Sequence, residues 1–347
     1  MHKNINNIIV GISVGDLNGI GPEVILKTLE DTRILEFCTP IIFANVKVIS
    51  FLKKRFNLQA PIVGIDHIDQ ALQSKINVLN VWKEPVTLNF GTLEDEKGKY
   101  AILSFTNAVE QLKNNHLDIL ITAPIHKENI QSDSFKFPGH TDFLEQELEG
   151  NSMMLMVSNE LKVGLLTDHI PLEEVAKTID ETLIRKKVTT LIDTLKKDFS
   201  ITKPKIAILG LNPHCGDNGV IGNHDNITIK PAIDNLFNEG HYVFGPYASD
   251  SFFGSNAYKN FDAVLACYHD QGLIPFKTIA YGTGINYTAG LSKIRTSPDH
   301  GTGFDIAGKN KANHQSFTNA LYLAIDIHKN RKEYQEITEN VLKISKN

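Results

Sequence analysis

Short apolar runs alternate along this chain with longer stretches whose apolar positions recur at helical spacing. The runs Ile8 to Ile12, Pro40 to Ala44, Ile76 to Val81 and Leu117 to Ile121 predict buried strands. Val163 to Leu166, Ile206 to Leu211 and Ala263 to Cys267 predict three more. Helical spacing covers Ala101 to Leu112, Leu172 to Lys177, Glu181 to Leu195 and Phe317 to Ile327, and predicts a last helix over Tyr334 to Ile344. Gly245-Pro246-Tyr247-Ala248-Ser249-Asp250 reads as a turn followed by a helix. Strands alternating with helices in this way mark a layered α/β protein. With 347 residues the chain exceeds what one hydrophobic core usually serves, so two domains or one α/β unit with two lobes are expected.

The first strand runs into Gly15-Asp16-Leu17-Asn18-Gly19-Ile20-Gly21-Pro22-Glu23. Pro22 suits the first position of a helix and Glu23 its positive end. This glycine-rich turn either cradles an anion or is a tight βα turn with no ligand. A G-x-G-x-x-G fingerprint is absent, so a nicotinamide cofactor, if bound, is not bound in the Rossmann manner.

Composition narrows the function classes. Net charge is −5, where a nucleic-acid binder would show a basic surplus. Cys38, Cys215 and Cys267 are few, far apart and without zinc-finger spacing, which suits a reducing cytoplasm. No apolar run approaches the roughly 20 residues of a membrane span. Met1-His2-Lys3-Asn4 does not open a secretory leader. A cytoplasmic protein that binds neither nucleic acid nor membrane is the expectation.

The chemistry concentrates in two kinds of place. Cys267 to Lys309 sets His269, Lys277 and Arg295 among glycines and polar residues, and reads as a long functional loop system suited to an anionic ligand, not as core. Three strand patterns end within a few residues of a histidine: Thr167-Asp168-His169, Asn212-Pro213-His214 and Tyr268-His269-Asp270. Ligands of α/β sheets bind beyond the carboxyl ends of strands. Three neutral imidazoles gathered there would hold a divalent metal with open positions, and Asp168, Asp217, Asp250 and Asp270 are candidates to fix their tautomers. The opposing reading is that each histidine is only a surface residue. His140 and Thr141 sit near a helix start, where donors can meet a phosphate, though Thr141 also suits a helix cap. The remaining histidines, His2 among them, read as solvated or structural.

Taken together, these motifs resemble the 4-hydroxythreonine-4-phosphate dehydrogenase family of pyridoxal phosphate biosynthesis, nearly end to end. The carriers are Gly15-Asp16, Gly19-Ile20-Gly21-Pro22-Glu23, Thr122-Ala123-Pro124, Gly139-His140-Thr141, Thr167-Asp168-His169, Asn212-Pro213-His214, Tyr268-His269-Asp270-Gln271-Gly272, Lys277, Ile294-Arg295-Thr296-Ser297 and Asp299-His300-Gly301-Thr302. The resemblance implies a two-lobed α/β/α architecture like isopropylmalate dehydrogenase, with lobe one at 1–125 plus 295–347 and lobe two at 126–294. It implies His169, His214 and His269 as ligands of zinc, cobalt or magnesium, shared within a homodimer. His140, Thr141, Lys277, Asn286 and Arg295 become the substrate set. Asp299 to Gly308 resembles the adenosine-side loop of isocitrate and isopropylmalate dehydrogenases, which makes His300, Gly301, Thr302 and Asp305 cofactor-binding residues.

The implied reaction is NAD- or NADP-dependent oxidation of 4-phosphohydroxy-L-threonine, followed by decarboxylation to 3-amino-2-oxopropyl phosphate. Lys277, Asp250 or a metal hydroxide is the base. Threonate 4-phosphate as substrate, or a metal-dependent phosphatase, is the competing reading. The chain departs from the family pattern at Ser13-Val14 and Leu17-Asn18, where prolines and an alanine are usual, at Cys215 and Asp217, and at Gly303.

Overall fold

The computed structural model describes residues 8–132, 135–137 and 139–339. Met1 to Asn4, with His2, and the expected helix end at Ile344 lie outside the described residues. The chain divides into two compact units: Met1–Ser152 with Ile285–Ile325, and Met153–Gly284 with Asp326–Asn347.

In chain order the strands are β1 (Ile8–Ser13), β2 (Cys38–Ala44), β3 (Ile62–Ile65), β4 (Ile76–Asn80), β5 (Ile119–Thr122) and β6 (Gly150–Val157). There follow β7 (Lys162–Leu165), β8 (Ile206–Leu209), β9 (Val243–Tyr247), β10 (Ala263–Ala266), β11 (Ile285–Leu291) and β12 (Ile294–Pro298). The helices are α1 (Gly21–Glu30), α2 (Val46–Arg55), α3 (Asp95–Lys113), α4 (His140–Glu147) and α5 (Leu172–Thr178). After them come α6 (Glu181–Phe199), α7 (Lys230–Asn238), α8 (Ser249–Gly254), α9 (His269–Ile279) and α10 (Gln315–Thr338).

The strands of the first unit lie in the order β3-β4-β2-β1-β5-β12-β11. All of these pairs are parallel except β11 with β12. Every residue of β2 is buried, as expected of a strand covered on both faces. Helix α3 turns Phe105, Ala108 and Leu112 into a core that also holds Phe43, Leu117, Leu120 and Leu144. The second unit orders its strands β6-β7-β10-β8-β9, parallel except for β6 with β7. Its core gathers Met154, Val163, Leu165, Ala207, Val264, Leu273 and Phe276. This mixed α/β architecture is not a Rossmann fold, whose strands run 3-2-1-4-5-6.

Three expectations are corrected. Cys267 to Lys309 is not a loop system: it contains α9, β11 and β12, joined by short turns, and its one long loop follows Pro298. Several of its polar residues belong to the sheet and find partners there: Thr296, fully buried, donates from Oγ1 to the Ala320 carbonyl at 2.9 Å. Gly245-Pro246-Tyr247 belongs to β9 and not to a turn. Within its unit β9 is an edge strand, where a missing proline N–H breaks no ladder bond. The two helices expected after Phe317 are one, α10, which runs unbroken to Thr338.

Candidate active site

Arg295 is the organising side chain of the first unit. In the ladder Asn286 faces Ser297 and Tyr287 faces Thr296, which brings Thr288 opposite Arg295. Side chains two apart share a strand face, so Asn286, Thr288, Arg295 and Ser297 form one polar face. On the other side of β12, Arg295 is in register with Leu120 of β5, and Thr122 lies two residues further along the same face. The guanidinium is held by Thr122 Oγ1, which accepts from Nε at 3.1 Å and from Nη2 at 2.6 Å. Thr288 Oγ1 accepts from Nη1 at 3.1 Å. Among the described residues no carboxylate pairs with Arg295. Only 3% of the residue is exposed, and burial pushes its pKa down to about 9.

His140 completes this cluster. Its Nδ1 accepts from Arg295 Nη2 at 3.2 Å, which places the ring proton on Nε2. Nε2 is buried and has no hydrogen-bond partner among the described residues, and the same is true of Asn286 Oδ1. Buried polar atoms are nearly always paired, so two orphans beside an uncompensated cation point to a ligand. Phe105 stands edge-on to the imidazole at 4.5 Å between centroids. Thr141 is not the helix cap: α4 starts at His140 and Gly139 occupies the cap position, so Thr141 lies in the first turn.

Burial first, and the Arg295 charge second, hold His140 well below the ordinary imidazole range. The unfolded chain takes up a proton below about pH 6.5 that the folded ring refuses, so stability is complete above that pH and falls beneath it. The expected slope is about 1.4 kcal/mol per pH unit for this one group. Urea unfolding of the wild type and of His140→Asn at pH 7 and pH 5 checks it. The wild type should lose more stability than the variant over that interval. Equal losses would mean that His140 is not held neutral.

The first turn and the loop after Pro298 interlock. Ile20 N donates to the Thr302 carbonyl at 2.8 Å, and His126 stacks on Phe304 at 5.6 Å. Glycine is required at Gly15, where φ is +70° and a Cβ would stand 2.4 Å from the Pro124 carbonyl oxygen. The carboxyl of Asp16 is fully buried there; burial raises its pKa although Asn129 and the Asn18 amide donate to it. Gly15 thus lets backbone approach backbone, and the buried Asp16 makes this turn a poor cradle for an anion. His300 Nδ1 lies 3.0 Å from the Gly301 carbonyl, and Nε2 is buried without a partner among the described residues. Thr302 is half-buried and Asp305 is exposed.

In the second unit, β7, β10 and β8 are parallel neighbours, so His169, His269 and His214 follow the carboxyl ends of adjacent strands. The rings of His169 and His269 are 5.6 Å apart. Asp270 Oδ1 lies 2.7 Å from His269 Nδ1, which leaves Nε2 as the lone-pair atom for a metal. His214 lines a cavity of about 580 Å³ with Ser249, Asp250, Tyr268, Asp270 and Gln271. Among the described residues no three histidine, cysteine, aspartate or glutamate side chains gather closely enough to hold an ion. The imidazole donors and the Asp270 contact fit a divalent metal, though the described residues do not assemble the full set. Lys277 is exposed in the last turn of α9.

Two supports for these histidines went unnoticed in the sequence. Asp225, fully buried, accepts from the Leu211 amide at 2.7 Å and from the Asn212 amide and side chain at 3.1 and 2.8 Å. It pins the entry to a left-handed turn that begins at His214, with φ of 51°, 54°, 80°, 43° and 54° through Asn218. Gln271 accepts from the Cys267 amide and donates to the Gly210 carbonyl and to Ser249 Oγ, tying β10, β8 and α8 together.

Residues 36–324 match the family model described as pyridoxal phosphate biosynthetic protein PdxA. A 4-hydroxythreonine-4-phosphate dehydrogenase of Bacteroides thetaiotaomicron is 44% identical over 340 residues, 97% of this chain and 93% of the relative. An Oceanobacillus iheyensis relative, 33% identical over 92% of this chain and 97% of its own length, is provisionally named D-threonate 4-phosphate dehydrogenase. The crystal structure of the Klebsiella pneumoniae 4-hydroxythreonine-4-phosphate dehydrogenase superposes with a TM-score of 0.79 at 30% identity, covering 94% of this chain and 99% of that one. With both the sequence family and the fold in agreement, the chain belongs to the PdxA family of pyridoxal phosphate biosynthetic proteins and is an enzyme.

Proposed function

We propose that this enzyme oxidises 4-phosphohydroxy-L-threonine with NAD or NADP. Hydride leaves the carbon bearing the 3-hydroxyl for the nicotinamide, and the hydroxyl proton passes to a base, for which Lys277 and Asp250 are the candidates. The resulting 2-amino-3-oxo acid phosphate loses CO₂ from its carboxylate. The bonding pair moves toward the ketone, and protonation gives 3-amino-2-oxopropyl phosphate. The observation that carries this reading is the buried Arg295 guanidinium, partnered by neutral groups and flanked by the orphaned His140 Nε2, which suits the phosphate of the substrate.

Arg295 and Lys277 supply positive charge to that phosphate, and His140, Thr141 and Asn286 supply hydrogen bonds. His300, Gly301, Thr302 and Asp305 hold the adenosine side of the cofactor. His169, His214 and His269 are the residues that would hold a divalent ion, in a homodimer whose subunits would share the site. Bound there, zinc, cobalt or magnesium would supply Lewis-acid stabilisation of negative charge on the reacting oxygen.

The name of the Oceanobacillus relative favours one other substrate, threonate 4-phosphate, which lacks the amine. The test is growth of the reduced-nicotinamide absorbance with each phosphate, with and without a chelator. The expected result is faster turnover, by kcat/KM, of 4-phosphohydroxythreonine, lost on chelation and restored by adding metal. Phosphate release without nicotinamide reduction would overturn the reading in favour of a phosphatase.

A further inference from the structure

We propose that Thr122 and Thr288 are positioning residues that form a neutral hydroxyl clamp, aiming the Arg295 guanidinium at an anionic ligand without cancelling its charge. This rests on the reading of Arg295 as the phosphate-binding cation.

The clamp follows from strand order. Arg295 stands on β12, between β5 and β11, and each neighbour sends one threonine to it. A guanidinium has five N–H donors. Thr122 takes two, Thr288 one and His140 one, which leaves a single N–H, on Nη1, without a partner among the described residues. Threonine is stiff at χ1, and both residues are fully buried in strands, so the two oxygens are fixed points. The plane of the guanidinium is set by three points before any ligand arrives, and little orientational freedom remains to be lost on binding.

The chemical identity of the partners matters as much as their position. A carboxylate at either place would form a buried ion pair and cancel the field in the pocket. A hydroxyl accepts the hydrogen bond and leaves the net charge to be met by the ligand. The same contact explains His140: its Nδ1 is committed to Arg295, so the ring faces the ligand as a neutral Nε2–H donor, adding a hydrogen bond without a titrating charge. Recognition by one fixed guanidinium N–H, the uncancelled charge behind it and a neutral Nε2–H donor fits a phosphate ester.

The experiment uses the full-length protein with Thr122→Val, Thr122→Ser and Thr288→Val. Thr122→Val keeps the shape and removes the acceptor. Binding of inorganic phosphate by calorimetry should weaken about tenfold or more in Thr122→Val, less in Thr288→Val, and return to within about threefold of wild type in Thr122→Ser. With 4-phosphohydroxythreonine the loss should appear in KM, with kcat changed less than about twofold. A residue that served only the fold would lower the melting temperature without this split. If Thr122→Val does not fold, Thr288→Val carries the test by the same two readouts. The clamp is overturned if wild type binds no phosphate, if the valine variants that fold bind it as tightly as wild type, or if serine fails to rescue. A wild-type enzyme that binds phosphate through the clamp yet does not turn over 4-phosphohydroxythreonine would sink the proposed reaction and leave the clamp standing.

Discussion

Arg295→Met should make the protein more resistant to unfolding and, at the same time, nearly inactive. Arg295 is 3% exposed and its hydrogen-bond acceptors are uncharged. Desolvating a charge without a countercharge is expensive. A methionine of similar length fills the space at no such cost, although Thr122 and Thr288 lose a donor. A net gain of about 1–2 kcal/mol is expected in denaturant melts without phosphate: even a buried ion pair replaced by apolar side chains often returns roughly 1–4 kcal/mol, and here no countercharge offsets the desolvation, while the lost hydrogen bonds reduce the gain. Catalysis should move the other way. Removing one partner of a buried charge pair costs about 2–5 kcal/mol, and each ~1.4 kcal/mol is tenfold, so kcat/KM should fall about a thousandfold. The opposite signs are the diagnostic. An equal loss of stability and activity would make Arg295 structural, and wild-type kcat/KM would remove it from the site.

The second large effect is expected at His214. His214→Ala should abolish tight metal binding and turnover together, while the protein stays folded, because the histidine lines a cavity and is not core. Losing a hydrogen-bond partner of a metal ligand typically costs roughly 10–100-fold in affinity, and losing a ligand itself should exceed that. Metal content after dialysis, measured by mass spectrometry, reads the effect independently of activity. Full activity in a metal-free preparation of the variant would refute the role.

How far the residues themselves foretold this depends on the distance over which each contact acts. Val163, Ile206 and Ala263 begin apolar runs that read directly as buried strands, and the histidine after each was visible. That β10 lies between β7 and β8 was not, since sheet order is fixed by packing and not by any local pattern. Arg295 was legible as a cation but was placed in a loop. Its acceptor Thr122 lies 173 residues away, and a polar side chain whose partners are remote looks solvated in a one-dimensional reading. Thr122 stands in one of the family motifs, but neither it nor Thr288 shows from sequence that it holds Arg295, because threonine is an ordinary strand residue. Asp225 lies fourteen residues from the Leu211 amide it accepts from, and no local pattern marks a carboxylate that far along the chain as an anchor.

The left-handed turn has a consequence for anyone who would graft this histidine constellation onto another scaffold. Apart from Gly216, its residues His214, Cys215, Asp217 and Asn218 sit in a backbone basin that side chains disfavour, at a cost of about 1–2 kcal/mol each. A transplanted Asn-Pro-His segment would therefore relax into a commoner loop and swing its imidazole elsewhere. The graft has to bring along a buried carboxylate such as Asp225 to anchor the loop's entry, so the smallest portable unit is a piece of fold and not a sequence motif.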